Sequence, residues 1–201
     1  MLKKYGFTVV ELLVVIVVIA ILATITLVSY NNIQKDAYNT SIKAAVTAWV
    51  KALTINNATK GPIELDPGTY TTGICLGSEL DYTTTSHLEQ GECFSGAFTS
   101  NDVYYAVKAN VGNIRFTPNE FEDPDADGDG QWLRGMVYDR TYSSADGYRY
   151  YLFYNMYGYN GWNFDCGVPG ATVNDFSSTL KVTTCQIDMS GRRKTPPITW
   201  P

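Results

Sequence analysis

The chain has 201 residues, a formal net charge of −5, four cysteines and a single histidine. That length suits one ordinary domain plus an extension, and an acidic balance argues against generic nucleic-acid binding, which draws its affinity mostly from Lys and Arg. Hydrophobic residues make up 45% of the chain, but a dense apolar block near the N-terminus holds many of them, so the polar, Tyr-rich remainder has room for one modest core.

Residues 1–6, Met-Leu-Lys-Lys-Tyr-Gly, form a short basic leader. From Phe7 to Val28 the chain is almost wholly apolar. As a helix this run is roughly 33 Å long, enough to cross a bilayer, and Lys3 and Lys4 place its start on the cytoplasmic side. Glu11 interrupts it. A carboxylate at the centre of a membrane helix costs on the order of 2.5–3.5 kcal/mol. Near the cytoplasmic end the cost is smaller, but it still calls for a reason. An ordinary secretory signal would be cut after the apolar core, and this run is long for such a core.

The pattern then becomes amphipathic. Tyr30, Ile33, Ala37, Ala44 and Ala48 define one stripe, and Ile42, Val46, Trp49, Val50 and Leu53 an adjacent one, both at the spacing of a helix face. Neither Gly nor Pro occurs between Phe7 and Thr59, and Gly61-Pro62 supplies a stop. The spacing predicts one helix over 7–58, roughly 75 Å long. Its half at 7–28 is transmembrane and its half at 29–58 is amphipathic. Without a helix breaker between Ala20 and Val28, no local unwinding is expected.

A β-rich head is expected over 59–189, with a flexible basic tail at 190–201. Residues 66–70 read as a turn. Residues 103–107 read as a short strand or the end of a small helix, and 111–116 as a strand. Residues 131–138 and 148–155 read as a hairpin, and 179–185 alternate like a half-buried strand. The cysteines all follow the apolar block, with no CxxC spacing. This favours disulfides in an oxidising compartment over a zinc site. Of three pairings, Cys75–Cys93 with Cys166–Cys185 is preferred, because each closes a short loop containing Gly and Thr.

Gly6 followed by Phe7, with Glu11 four residues further on at the head of an apolar helix and behind a short basic leader, resembles the type IV pilin family. The likeness is close over residues 1 to about 30 and holds in outline for the long helix and the C-terminal disulfide. Type II secretion pseudopilins share the motif. The resemblance implies cleavage between Gly6 and Phe7 by a prepilin peptidase and N-methylation of Phe7. It also implies that Glu11 pairs with the Phe7 ammonium of a neighbouring subunit. Glycine suits the cleavage point because it lets another backbone approach closely. The pairing has its own physical warrant, since opposite charges in a low-dielectric bundle attract strongly and each is costly alone.

Asp123, Asp125, Asp127, Gly128 and Asp129 match the first half of a calcium loop, although Arg134 stands where a bidentate Glu would close it. Ca2+ is therefore an expectation for this run. The aromatic residues crowded between Tyr138 and Phe164 suit stacking on sugars or bases, but a sheet with its core and subunit contacts accounts for them more simply. Arg192, Arg193 and Lys194 read as part of a solvated tail. No nucleophile–base pair marks an enzyme.

The fold expected is therefore α+β, a long N-terminal helix packed on a small antiparallel sheet with disulfide-closed loops. The protein is expected to wait in the cytoplasmic membrane and then polymerise into an extracellular filament of identical subunits. Its partners would be the prepilin peptidase and inner-membrane assembly machinery, and its role adhesion, motility or DNA uptake. The alternatives are a type II secretion pseudopilin and a non-polymerising membrane-anchored binding protein.

Overall fold

The computed structural model describes residues 8–60, 63, 73–78, 82–85, 88–94, 97–100, 104, 105, 107, 120–122, 132–143 and 147–190. The leader, the turn at 66–70, the strand expected at 111–116 and the tail from 191 lie outside these residues. The chain falls into two units that divide between Ala37 and Tyr38. Helix α1, Val9–Thr59, supplies the first and opens the second.

In the first unit the large side chains from Val9 to Ile25 are exposed, and so are Tyr30 and Ile33. Thr24 and Thr26 donate their hydroxyls to the carbonyls of Ile21 and Ala23, at 2.7 and 2.9 Å. Bonds of this kind keep a polar side chain satisfied where water is scarce.

In the second unit α1 buries Tyr38, Ile42, Ala45, Val46, Trp49, Ala52 and Leu53, a spacing that follows one helical face. Of the two stripes read from the sequence, the one through Ile42, Trp49 and Leu53 enters the core. Tyr30, Ile33, Ala37 and Ala44 stay exposed, and Ala48 is half-buried. The stripes share the same spacing, so periodicity could not rank them. The larger aliphatic and aromatic side chains of the second stripe give more burial per turn.

The second unit adds strands β1 (Ile74–Cys75), β2 (Glu92–Phe94), β3 (Ala97–Phe98), β4 (Glu120–Glu122), β5 (Trp132–Arg134), β6 (Met136–Ser143), β7 (Gly147–Tyr157), β8 (Ala171–Ser177) and β9 (Val182–Asp188), and the helix shares one apolar core with β1, β2, β3, β6, β7, β8 and β9. The strands form a five-stranded sheet, β1-β6-β7-β9-β8, and a four-stranded sheet, β3-β2-β5-β4. Every strand pair in them is antiparallel. Along β7, Tyr150, Leu152, Tyr154 and Met156 are buried at every second position, as a pleated strand over a core requires.

Two expectations change, and one strand is new. The strand expected at 131–138 is broken at Gly135, whose positive φ of 68° suits a residue without Cβ; β5 joins the smaller sheet and β6 the larger. The strand expected at 179–185 lies three residues later, because Lys181 turns through a φ of 56° before β9 begins. Strand β8 had no clear sequence signal, since Asn174 and Asp175 interrupt its alternation and sit at a register shift between Val173 and Asp175. Of the two readings of 103–107, the helical one fits Tyr104, Tyr105 and Val107.

Disulfides join Cys75 to Cys93 and Cys166 to Cys185. Each closes a loop of fewer than 20 residues, which stabilises the head by about 3 kcal/mol in the loop-entropy picture. Two side-chain clamps add to them. Asn39 of α1 donates from Nδ2 to the carbonyl of Tyr157 and accepts the Tyr157 N–H on Oδ1, at 2.7 and 2.9 Å. The helix thereby satisfies the end of β7 as another strand would. Arg134 is 1% exposed. Its Nε donates to the Glu92 carbonyl at 2.7 Å and its guanidinium nitrogens to the carbonyls of Glu89, at 2.6 Å, and Thr83. The guanidinium also lies 5.6 Å from the Tyr82 ring centroid. All three carbonyls belong to the loop closed by Cys75–Cys93, so one side chain anchors that loop from inside.

Two consequences can be measured by melting the full chain in detergent. Arg134→Met keeps the apolar stem but removes the donors to three carbonyls, of which the buried one, that of Glu92, costs about 1–3 kcal/mol when left unpaired. The variant should melt at least 5 °C lower, and an unchanged melting temperature would remove the clamp. Burial pushes the Asp139 carboxyl above its usual range, against the lowering effect of the Arg140 N–H and charge. A raised folded pKa contributes stability that is complete below the unfolded pKa and lost as pH rises through the folded one. Asp139→Asn should therefore raise the melting temperature at pH 7, with the gain shrinking towards zero below about pH 4.

Candidate assembly and processing site

Gly6 and Phe7 lie outside the described residues. Glu11 lies in the first turn of α1. Its carboxylate accepts both the backbone N–H and the hydroxyl of Thr8 on Oε2, each at 2.8 Å, and the Thr8 hydroxyl accepts the Glu11 N–H at 3.3 Å. This reciprocal arrangement is a capping box, in which each side chain satisfies a backbone donor at the helix start. The sequence reading missed Thr8, although Thr-Val-Val-Glu carries the S/T-x-x-E signature in plain view. Within one subunit the carboxylate is thus already held by two donors. Its other oxygen, together with the helix-start field that favours negative charge, is available to an ammonium group.

Helix α1 contains a stretch long and apolar enough to cross a membrane, and none of that stretch is buried inside the molecule. A side chain of Leu, Ile or Val gains about 1.5–3 kcal/mol on leaving water, so the surface around Glu11 strongly favours lipid or another protein.

The remaining residues expected to have a role are placed as follows. Asp123, Asp125, Asp127 and Asp129 lie outside the described residues, as does His87. Among the described residues no group of three or more His, Cys, Asp or Glu side chains could hold a metal ion. The aromatic cluster divides. Tyr138, Tyr150 and Tyr154 are buried, while Tyr148, Tyr159 and Trp162 are exposed. The buried Tyr154 hydroxyl donates to the Cys166 carbonyl at 2.9 Å, and desolvation together with the charge of Asp165 raises its pKa.

Residues 1–27 match the family model of the prokaryotic N-terminal methylation motif. The long N-terminal helix, the small antiparallel sheets and the two disulfides match the α+β fold expected of a type IV pilin. Motif and fold together support a type IV pilin or prepilin-type protein, anchored in a membrane through its apolar helix. No curated protein and no solved structure matches the chain.

Proposed function

We propose that the chain is the structural subunit of a type IV pilus-like extracellular filament. The prepilin is stored in the cytoplasmic membrane through α1. It is cut between Gly6 and Phe7 by a prepilin peptidase and methylated on the new Phe7 amine. Inner-membrane machinery then moves it into a growing homo-oligomeric filament. The observation that carries this reading is the methylation motif standing on an apolar helix that its own chain leaves uncovered. Lipid covers that helix before assembly, and neighbouring helices cover it afterwards.

Glu11 sets the register in this reading. Its carboxylate pairs with the Phe7 ammonium of the neighbouring subunit, and a mismatched subunit leaves two charges unpaired in a low-dielectric bundle. The Thr8 capping box supports the role by keeping the carboxylate hydrogen-bonded while the subunit waits in the membrane. The head, with two disulfides, suits an oxidising exterior.

Mass spectrometry of filaments sheared from native cells should find peptides beginning at N-methyl-Phe7. A processed chain confined to the membrane would replace the filament reading with that of a pseudopilin. A chain retaining residues 1–6 would replace it with a non-polymerising anchor. Glu11→Ala prepilin should insert and be cleaved normally, yet its sheared fraction should fall by about tenfold or more, as expected when a buried charge loses its partner. Normal filaments from this variant would rule out the pairing. A calcium ion at Asp123, Asp125, Asp127 and Asp129 rests on spacing alone. Calcium should raise the melting temperature of the parent and not of Asp125→Ala, and no shift in the parent would remove the site.

A further inference from the structure

Among the described residues, an exposed pair of aromatic side chains lies in the chain between β7 and Cys166 of the Cys166–Cys185 disulfide. Trp162 sits in the short 3-10 turn Gly161–Asn163 and is 68% exposed; Tyr159, just before it, is 41% exposed. Both rings rest on Phe176 of β8. Trp162 meets it edge-on at 5.1 Å and 81°, and Tyr159 meets it at 5.3 Å and 55°. The Trp162 and Phe176 rings stand nearly perpendicular, and an indole left 68% exposed keeps most of its surface open to a ligand. Removing two such rings from water would gain considerable free energy, and the chain leaves that gain unused.

The mounting is stiff. A Cβ at Gly158 would lie 2.5 Å from the Phe164 ring, so the loop closes directly onto Phe164, two residues before the disulfide at Cys166. Lys181 is the one non-glycine with positive φ among the described residues, a conformation disfavoured for any residue with a side chain. It places its carbonyl on the Gly158 N–H at 2.7 Å and its ammonium 5.1 Å over the Tyr159 ring. The strained residue therefore braces the aromatic pair from the neighbouring turn.

We propose that Trp162 and Tyr159 form a platform that binds the apolar face of a neutral saccharide. The chemistry around the rings selects that ligand class. Asn160 and Asn163 are exposed beside the indole and carry amide donors and acceptors suited to a rim of hydroxyls. A pyranose presents C–H groups on its faces and hydroxyls at its edge, matching an aromatic surface bordered by amides. Charge complementarity points the same way. Lys181 contributes one positive charge, while Asp165 and Asp175, beside the platform residues in sequence, contribute two negative ones, a balance that disfavours an anionic ligand. A nucleic-acid strand would need a basic track for its phosphates, and a cationic ligand would meet Lys181 already seated on Tyr159. The inference rests on the proposed exposure of the head outside the cell, where such saccharides occur.

The test uses the full chain in dodecylphosphocholine micelles, a detergent without a sugar headgroup. Saturation-transfer NMR is recorded with maltose, lactose, N,N′-diacetylchitobiose and oligo(dT). At least one saccharide should receive saturation through its C–H protons. Trp162→Ala should weaken that binding by about tenfold or more, the loss expected of an aromatic anchor. Tyr105→Ala, which removes an exposed ring elsewhere in the head, should leave it unchanged. Trp162 is exposed, so its variant should keep the parental melting temperature. No transfer to any saccharide, equal binding by parent and Trp162→Ala, or binding of oligo(dT) alone would overturn the proposal. So would loss of filaments in Trp162→Ala with no saccharide binding by the parent, which would make the rings a subunit contact. Micelle binding needs no assembly, so saccharide binding by a chain that never enters filaments would refute only the proposed function.

Discussion

The apolar side chains from Val9 to Ile25 find no shelter in their own chain, and the rest of the molecule is arranged around that fact. Together they represent on the order of tens of kcal/mol of unfavourable contact with water. A membrane relieves it, and so does a bundle of identical helices. The two solutions differ in what they demand of Glu11. In lipid the carboxylate needs a local partner, which the Thr8 capping box supplies. In a bundle it needs a cation at a defined axial position. One carboxylate can therefore suit either setting if its first partner is weak enough to share.

A helix committed elsewhere for its first half must still carry the head by its second. The change is made by composition. Around Tyr38 the exposed aliphatic run gives way to a face on which Ile42, Trp49 and Leu53 are buried. Asn39 completes the junction within the second unit by hydrogen-bonding both backbone groups of Tyr157. The head itself is small, and its loops are secured by covalent and polar staples. The Cys75–Cys93 disulfide and the buried Arg134 do for the segments around β1, β2 and β5, and the Cys166–Cys185 disulfide for the loop before β8 and for β9, what a larger apolar core does in a bigger domain.

The same economy explains where exposed aromatic surface is found. Most of the tyrosines between Tyr138 and Tyr157 are at least partly buried, and the ring pairs Tyr138–Tyr150 and Tyr38–Tyr157 are packing contacts. The rings at 159 and 162 belong to the loop beyond the end of β7, braced by Phe176 and Lys181. A Tyr-rich composition thus covers two kinds of residue, and only position in the fold separates them.

Much of this was legible in the sequence. The methylation motif, the apolar run and the two disulfides each follow from composition and spacing, because bilayer thickness, helix rise and redox chemistry act on local runs of residues. The helix without a breaker and the β6–β7 hairpin were legible for the same reason. Other features were decided by tertiary structure. Which helical stripe faced the core depended on the sheet it met. The break at Gly135 depended on two sheets competing for one strand, and the existence of β8 on a bulged pairing with β9. The anchoring role of Arg134 and the exposure of Trp162 depended on contacts between segments far apart in the chain. Local chemistry writes the elements and the processing signal; pairing between distant residues, whose energies no window of sequence contains, determines which faces are spent on the core and which are left for a partner.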